Sequence, residues 1–467
     1  MKFLNKQTIS VLLGLVGLIL PQFIGFEGLE PAGQIALGIF LMAAIFWICE
    51  PIPIFATSLL IILLQVFLLS EKGLFASSLI ESGYTPQSYK DFYGTMASPI
   101  IILFLGGFSL ASAAVKFGID KTLTRFLLKP FGSKPQFVCL GLMVSTAVLS
   151  AFMSNTATTA MMITVVLPII AQLDKGDPFR KSVALAIPVG ANIGGIATPI
   201  GTPPNAIALA ALRGQGIDIA FSTWMLLAVP LVVIMLILAW RILLFLFPPA
   251  TDEFKINLDA KVDKSPAAII AYIIFGLTVL LWVTEKIHGI SSSVVAFLPI
   301  AALPALSVLD KKDIRSFSWE VLWLVAGGIS LGLSLKHTGL ASWIIDLVNW
   351  GSLGSLGLLI VFGLVAYGVA NLISNTVSAT ILVPLAVGLG VSGAAGADFN
   401  MGISIVTIGV VVSLSMILPI STPPNAIAMS TGVIETKDMA KSGIVVGFIG
   451  FAITLAISLL YWPLFIK

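Results

Sequence analysis

Charged side chains are scarce in this chain. Asp, Glu, Lys and Arg make up 10% of 467 residues, against roughly 25% in a soluble domain. That shortage excludes a water-facing globule, which would lack the polar surface to cover itself. Histidine is nearly missing. His288 and His337 lie near segment ends, far apart in sequence, and offer neither a metal cluster nor a nucleophile–base pair, which argues against an enzyme. Cys49 and Cys139 sit in separate apolar segments and read as small buried hydrophobes, not a disulfide or metal site. The ~10-residue alternating segments of a membrane β-barrel do not occur. The net charge of +3 says less than the placement of the charges, and no nucleic-acid partner is expected.

What is present is apolar. Hydrophobic residues reach 58% and mean hydropathy is +1.07. Runs of roughly 18 or more apolar residues, enough to span a bilayer as helix, recur along the whole length. The chain reads as an all-α polytopic membrane protein with about 11 transmembrane helices plus two re-entrant hairpins in an inverted repeat. Residues 1–31 hold a leading helix. Lys2 and Lys6 precede its apolar run, but no small-x-small cleavage site follows, so it is expected to be retained. Residues 32–248 form a first unit, 249–265 a polar linker and 266–467 a second unit. Spans near 267–287 and 291–309 match 32–49 and 53–70. A basic piece, Lys116–Lys134, has Lys121, Arg125 and Lys129 at helical spacing and reads as an interfacial helix, matched by a surface piece over 337–352.

Two phrases organise the rest, each used twice. Ser154-Asn155-Thr156 returns as Ser374-Asn375-Thr376, and Gly201-Thr202-Pro203-Pro204-Asn205 returns as Ser421-Thr422-Pro423-Pro424-Asn425. Both offsets are 220 (374 − 154 and 422 − 202), and Gly106-Gly107 returns as Gly327-Gly328 at 221 (327 − 106). Apolar helices imitate one another in hydropathy, but not in strings held in register, so the unit is duplicated. Each Ser-Asn-Thr lies within an apolar stretch of about 38 residues, 136–173 and 353–390. That length predicts a re-entrant hairpin of two half-spans with its polar tip at membrane depth. Each double proline removes two backbone donors and disfavours helix before it. Helices over 182–213 and 401–431 are therefore expected to break, the first running to residue 200 and restarting at Asn205.

Charge placement gives the orientation. With the N-terminus cytoplasmic, 19 of the 25 Lys and Arg fall on inner segments and 6 on outer ones, as the positive-inside rule requires. The span count then starts the second unit from the opposite side, ends the C-terminus outside the cytoplasm, and sends the two hairpins in from opposite faces. The expected location is the plasma membrane, multi-pass, in the manner of a bacterial inner membrane.

A tip where a helix begins presents unpaired N–H groups and the positive end of the helix dipole, which suits a carboxylate. Two tips suit an anion with two charged ends. No Lys or Arg is expected at either tip, so a co-bound cation would supply the missing charge. Hard oxygen donors without carboxylates (carbonyls freed at Gly201 and Ser421, Ser hydroxyls, Asn carbonyls) fit Na⁺, with one site per repeat and at least two in all. Other polar and small positions have plainer readings. Asn192 and Asn371 read as structural hydrogen bonds, and Glu50 and Glu285 as span ends. Gly106-Gly107, Gly190 and Gly194 read as close-packing positions, and Arg241 as a snorkelling side chain.

These paired tips and breaks resemble the divalent anion/sodium symporters, the INDY-type dicarboxylate transporters, over nearly the whole chain. The resemblance implies a scaffold domain (1–134 and 251–352), a transport domain (135–250 and 353–467) that moves as an elevator, and a homodimer in membrane lipid. It implies substrate contacts from Asn155, Thr156, Thr202, Asn375, Thr376, Thr422 and Pro423. It also implies one Na⁺ at Ser150, Ser154, Asn155 and Gly201, and a second at Ala370, Ile373, Asn375 and Ser421, where Ala370 and Ile373 act through backbone carbonyls. The expected activity is sodium-coupled import of C4 dicarboxylates such as succinate, malate or fumarate. The alternatives are a sodium-independent dicarboxylate exchanger and a citrate or sulfate symporter.

Overall fold

The computed structural model describes residues 5–250, 263–347 and 353–466, apart from 394 and 397. In chain order the first half contains α1 (Lys6–Ile19), α2 (Pro31–Cys49), α3 (Ile54–Leu69), the short α4 (Ala76–Glu81) and α5 (Tyr89–Gly94), α6 (Pro99–Lys116), α7 (Ile119–Leu128), α8 (Pro135–Phe152), α9 (Asn155–Ala171), α10 (Phe179–Gly195), α11 (Pro203–Gly214) and α12 (Phe221–Leu246). The second contains α13 (Pro266–Val283), the short α14 (Glu285–His288) and α15 (Ser292–Val295), α16 (Phe297–Ala305), α17 (Lys311–Arg315), α18 (Trp319–His337), α19 (Leu340–Asp346), α20 (Gly354–Leu372), α21 (Asn375–Ser392), α22 (Met401–Ser413), α23 (Pro423–Ser430) and α24 (Thr436–Leu460). Among the described residues the only β-type pairing is an isolated bridge between Ser70 and Gln87. Most of the linker over 249–265 and the end of the surface piece over 337–352 lie outside the described residues.

Helix starts repeat as the phrases do. Those of α6 and α18 differ by 220 (319 − 99), and so do those of α9 and α21 (375 − 155) and of α11 and α23 (423 − 203). The offset grows to 235 between α2 and α13 (266 − 31), because the polar stretch between α3 and α6 is longer than its mate between α16 and α18. Contacts between the halves are reciprocal. In one sense α11 packs on α21 and α22; in the other, α23 packs on α9 and α10. Likewise α3 packs on α18 while α16 packs on α6, and α12 meets its own mate α24. Such reciprocity is what a two-fold relation between repeats produces.

Nine helical stretches among the described residues are long and apolar enough to cross a membrane. The interrupted helices fall short of that length because each is cut in two. Three of the nine, α8, α20 and α21, are hairpin arms; with α9, the four arms α8, α9, α20 and α21 contain 18, 17, 19 and 18 residues. An 18-residue arm rises about 27 Å. Nearly the whole of each stretch is helical, and only Met153-Ser154 and Ile373-Ser374 turn the chain. The expected span near 291–309 is also divided, with α15 giving way to α16 at Ala296. A Cβ on Gly106 would meet the Ala296 carbonyl at 2.6 Å, so α6 needs glycine there to pack against this corner.

Burial sorts the helices. Every residue from Ser182 to Gly195 in α10 and from Gly402 to Ser413 in α22 is buried, so these two helices form the centre. A Cβ on Gly194 would collide with the backbone of Ala147, which is how α8 comes so close to α10. The periphery instead exposes large apolar side chains, including Phe245 at 86% and Ile273 at 61%, suited to lipid and not to water. On α7 the buried residues are Asp120, Thr124 and Leu128, while Lys121 and Arg125 are exposed, as in a helix lying along an interface.

Candidate binding site

Both breaks are longer than the prolines alone require. The first helix stops at Gly195 and restarts at Pro203, earlier at both ends than the expected 200 and 205. Pro203 and Pro204 take the first two positions of α11, where a backbone N–H has no intrahelical partner to lose. Thr202 precedes them in extended conformation, φ −147° and ψ 143°, and Thr422 matches it at −145° and 145°. The freed carbonyls are gathered by the asparagine that ends each phrase. Asn205 Nδ2 donates to Gly195 O (3.0 Å), Ile196 O (3.3 Å) and Thr198 O (2.8 Å). Asn425 Nδ2 donates to Met416 O (3.0 Å) and Leu418 O (3.0 Å). These acceptors match at the same 220 (416 − 196 and 418 − 198), so the repeat extends to individual hydrogen bonds. The Pro-Pro-Asn asparagines are thus straps that hold each break open.

The tips sit against the breaks. Ser154 and Ser374 take the cap positions of α9 and α21, and neither side chain bonds to its helix. The Asn375 N–H donates to Ser421 O at 3.3 Å, joining the second tip to the second break. A Cβ on Gly195 would collide with the Asn155 amide, so only glycine lets the first tip approach α10 so closely. Ser150 Oγ donates to Asn155 Oδ1 and also lies 2.9 Å from Ala191 O. One hydroxyl proton thus serves two acceptors. In the second repeat the position of Ser150 is taken by Ala370 (370 − 150 = 220), which has no hydroxyl. Asn375 Oδ1 is accordingly buried without a hydrogen-bond partner. A buried acceptor without a donor is rare in folded proteins and calls for an explanation. The remaining member, Ile373, ends α20 in extended conformation (φ −129°), and Ser421 Oγ donates to Asn371 O at 3.1 Å.

One cavity of about 460 Å³ is lined by both tips and both breaks. It brings together Ser154, Asn155, Thr156, Gly201, Thr202, Asn375, Thr376, Ser421, Thr422 and Pro423 from the two halves. Ser150, Ala370 and Ile373 do not line it and lie behind the tips. No Lys or Arg lines it, and Glu320 is its one carboxylate. The opposite wall is apolar, with Ile54 and Phe55 of α3, Phe104 and Phe108 of α6 and Leu324 of α18. A smaller cavity of about 320 Å³ shares Ser154, Phe108 and Ser318 with it and continues to Lys116 and Asp313, which pair at 2.5 Å. Nearby, backbone N–H groups of Asp313 and Lys312 hold the exposed Asp310 carboxyl below its usual range.

Two further residues line the cavity: Asn192, which makes the structural hydrogen bonds expected of it, and Glu320. Asn192 of α10 ties the halves together, its Nδ2 donating to Thr422 Oγ1 and to Asn425 Oδ1, both at 3.2 Å. Its mate at 412 is a valine, so Asn205 Oδ1, the counterpart of Asn425 Oδ1, is buried without a donor. Glu320 gives no signal beyond an acidic residue in a first helical turn. Asn371 and Glu285 have structural partners: Asn371 Oδ1 accepts from Ile417 N at 2.9 Å, and Glu285 accepts from Phe221 N at 2.8 Å and Ser292 N at 3.2 Å. Arg241 lies over the Trp240 ring, 4.6 Å from its centre.

Known proteins resemble this chain along its length. The family described as the sodium:sulfate symporter transmembrane region matches residues 2–467. An uncharacterised transporter of Haemophilus influenzae is 29% identical over 457 residues, covering 93% of each chain. The sodium-dependent dicarboxylate transporter SdcS of Staphylococcus saprophyticus is 30% identical, covering 91% of this chain and 86% of its own. Its namesake in Staphylococcus aureus (strain USA300) is 30% identical, covering 99% and 92%. Among solved structures, Neisseria gonorrhoeae MtrF, presented as illuminating a class of antimetabolite efflux pumps, aligns with a TM-score of 0.57 at 10% identity over 98% of this chain and 96% of its own. The Alcanivorax borkumensis YdaH transporter, whose topology is described as unusual, aligns at 0.52 with 13% identity over 88% and 98%. These two share the fold. The proteins named are transporters, not enzymes, and this chain is a multi-pass membrane protein of the same architecture.

Proposed function

Because the chain belongs to the sodium:sulfate symporter family, we propose that it is a sodium-coupled secondary transporter importing C4 dicarboxylates such as succinate, malate and fumarate. The observation that carries this reading is the donor shortage at the tips. Asn375 Oδ1 is buried with no hydrogen bond, and Ser150 divides one proton between Asn155 Oδ1 and Ala191 O. Carbonyl and hydroxyl oxygens short of protons, in a cavity without Lys or Arg, suit a hard monovalent cation at each tip. The first Na⁺ would take Ser150, Ser154, Asn155 and Gly201, and the second Ala370, Ile373, Asn375 and Ser421. Two cations and two helix N-termini then supply the positive charge that a dianion needs. Asn155, Thr156, Thr202, Asn375, Thr376, Thr422 and Pro423 would hold its two ends, and the apolar wall would cover its carbon chain.

Transport requires the site to reach both faces. On the division into a scaffold (1–134 and 251–352) and a transport unit (135–250 and 353–467), the cavity lies along the boundary, with α3, α6 and α18 facing the tips and breaks. That placement supports an elevator, in which the transport unit slides along the scaffold of a homodimer. The charge distribution, with the N-terminus cytoplasmic, makes the face bearing Lys116 and Asp313 the inner one, so the conformation described here is open inward. Coupling follows if the empty and fully loaded units cross and the sodium-only unit does not, which is a difference in state energies.

Counterflow in proteoliposomes tests the substrate class. Unlabelled succinate, malate and fumarate should each displace labelled succinate, while citrate and sulfate should compete at least tenfold less well. Stronger competition by sulfate or citrate would reassign the substrate and leave the sodium sites standing.

A further inference from the structure

A second cavity, of about 630 Å³, lies at the other end of α18. The helix lines both cavities with one stripe: Glu320 and Leu324 at the tips, then Gly328, Gly332 and Lys336 at the second cavity. Each four-residue step turns about 40° around the helix, so this stripe winds as it rises and Lys336 lies well round α18 from Glu320. Between the cavities α21 closes onto α18. A Cβ on Gly328 would meet Thr380 at 2.6 Å, and one on Gly332 would meet Pro384 at 3.6 Å. Both pairs differ by 52 (380 − 328 and 384 − 332), so the helices run side by side in the same direction. On that register Thr376 lies beside Leu324. Lys336 is 12 residues further along (336 − 324), about 18 Å at the helical rise.

The two cavities differ in charge. The site at the tips has Glu320 and no Lys or Arg, whereas the second has Lys90, Lys336 and His337 against Asp91. Lys336 is occupied in this conformation, its Nζ donating to Gly214 O at 3.2 Å and to Gln215 Oε1 at 3.1 Å. Gly214 ends α11, so this carbonyl belongs to the negative end of that helix dipole. The bond therefore joins α18 of the scaffold to α11 of the transport unit.

We propose that the second cavity is a receiving site for the dicarboxylate on the outer face, with Lys336 as its principal cation, assisted by Lys90. The proposal rests on the elevator reading above. While the site opens inward, α11 neutralises Lys336 and its carbonyl dipole repels an anion. When α11 moves off with the transport unit, the ammonium is released and the dipole withdraws, as the tips approach the same stretch of α18. Both changes favour an incoming dianion over the inward arrangement, so anion capture and displacement of α11 are linked.

The test compares the apparent KM for labelled succinate at each face, using right-side-out and inside-out vesicles from cells making the full chain. Lys336→Gln should raise the outer KM about fivefold to tenfold at low salt, with a smaller rise at high ionic strength. It should leave the inner KM within twofold of wild type. Lys336→Arg should restore the outer value, and Lys90→Gln should raise it about twofold. An unchanged outer KM in Lys336→Gln, or an equal rise at both faces, overturns the receiving site. If that variant does not reach the membrane, an unchanged outer KM in Lys90→Gln does so. A wild-type protein that moves no succinate overturns the parent reading instead, so the two failures are separable.

Discussion

Replacing Asn375 by alanine separates an ion ligand from a structural asparagine by the sign of its effect on stability. Asn375 Oδ1 is buried and accepts nothing, while its backbone N–H bonds to Ser421 O independently of the side chain. Burial of an unsatisfied polar atom costs about 1–3 kcal/mol. Removing it returns that amount, less the packing lost with a small side chain, about 1 kcal/mol. The sodium-free Asn375→Ala protein should therefore be as stable as wild type or more stable, by up to about 2 kcal/mol. Sodium should stabilise wild type more than the variant. At a hundredfold excess over Kd, a ligand stabilises the native state by about 2.7 kcal/mol per site. Wild type should gain this from both sites, and the variant should lose the share of the second. The assay is thermal unfolding of purified protein across a NaCl series, with choline chloride holding ionic strength constant. A variant destabilised by more than about 2 kcal/mol without sodium, or one that keeps the full sodium gain, would refute the assignment.

Other positions give sharper structural contrasts. Asn155→Ala should abolish transport and leave the folded protein intact, checked by uptake beside size-exclusion profiles; normal uptake would make the first tip structural. Asn205→Ala leaves three break carbonyls without their donor and should cost about 2–4 kcal/mol, with Asn425→Ala similar, as read from melting temperatures without substrate. Gly194→Val should destabilise by about 1–3 kcal/mol or more through overpacking against Ala147, visible as loss of monodisperse protein. Asn192→Val places in α10 the residue its mate position holds; it should raise the KM for succinate severalfold while changing the sodium dependence little, because it frees Thr422 from its tie.

The duplicated phrases made the site legible. Ser-Asn-Thr marks the two turns at 153–154 and 373–374, Pro-Pro-Asn marks the two restarts, and the 220 offset brings them into one cavity. The stop at Gly195 depends on where Asn205 sends its amide, which the sequence does not carry. Nor does it reveal that Asn192 crosses between repeats, since that tie breaks the symmetry that exposed everything else. The charged lining of the second cavity draws on α5 and α18, elements far apart in sequence that carry no shared phrase.

Sodium-driven accumulation tests the coupling itself. Proteoliposomes containing the purified protein and no internal dicarboxylate are given labelled succinate outside, with an inward NaCl gradient or with choline chloride in its place. Sodium coupling predicts accumulation above the external concentration with sodium, collapse when the gradient is dissipated, and no uptake in choline. Equal uptake in choline would contradict sodium coupling, and uptake only when dicarboxylate is preloaded inside would identify an exchanger.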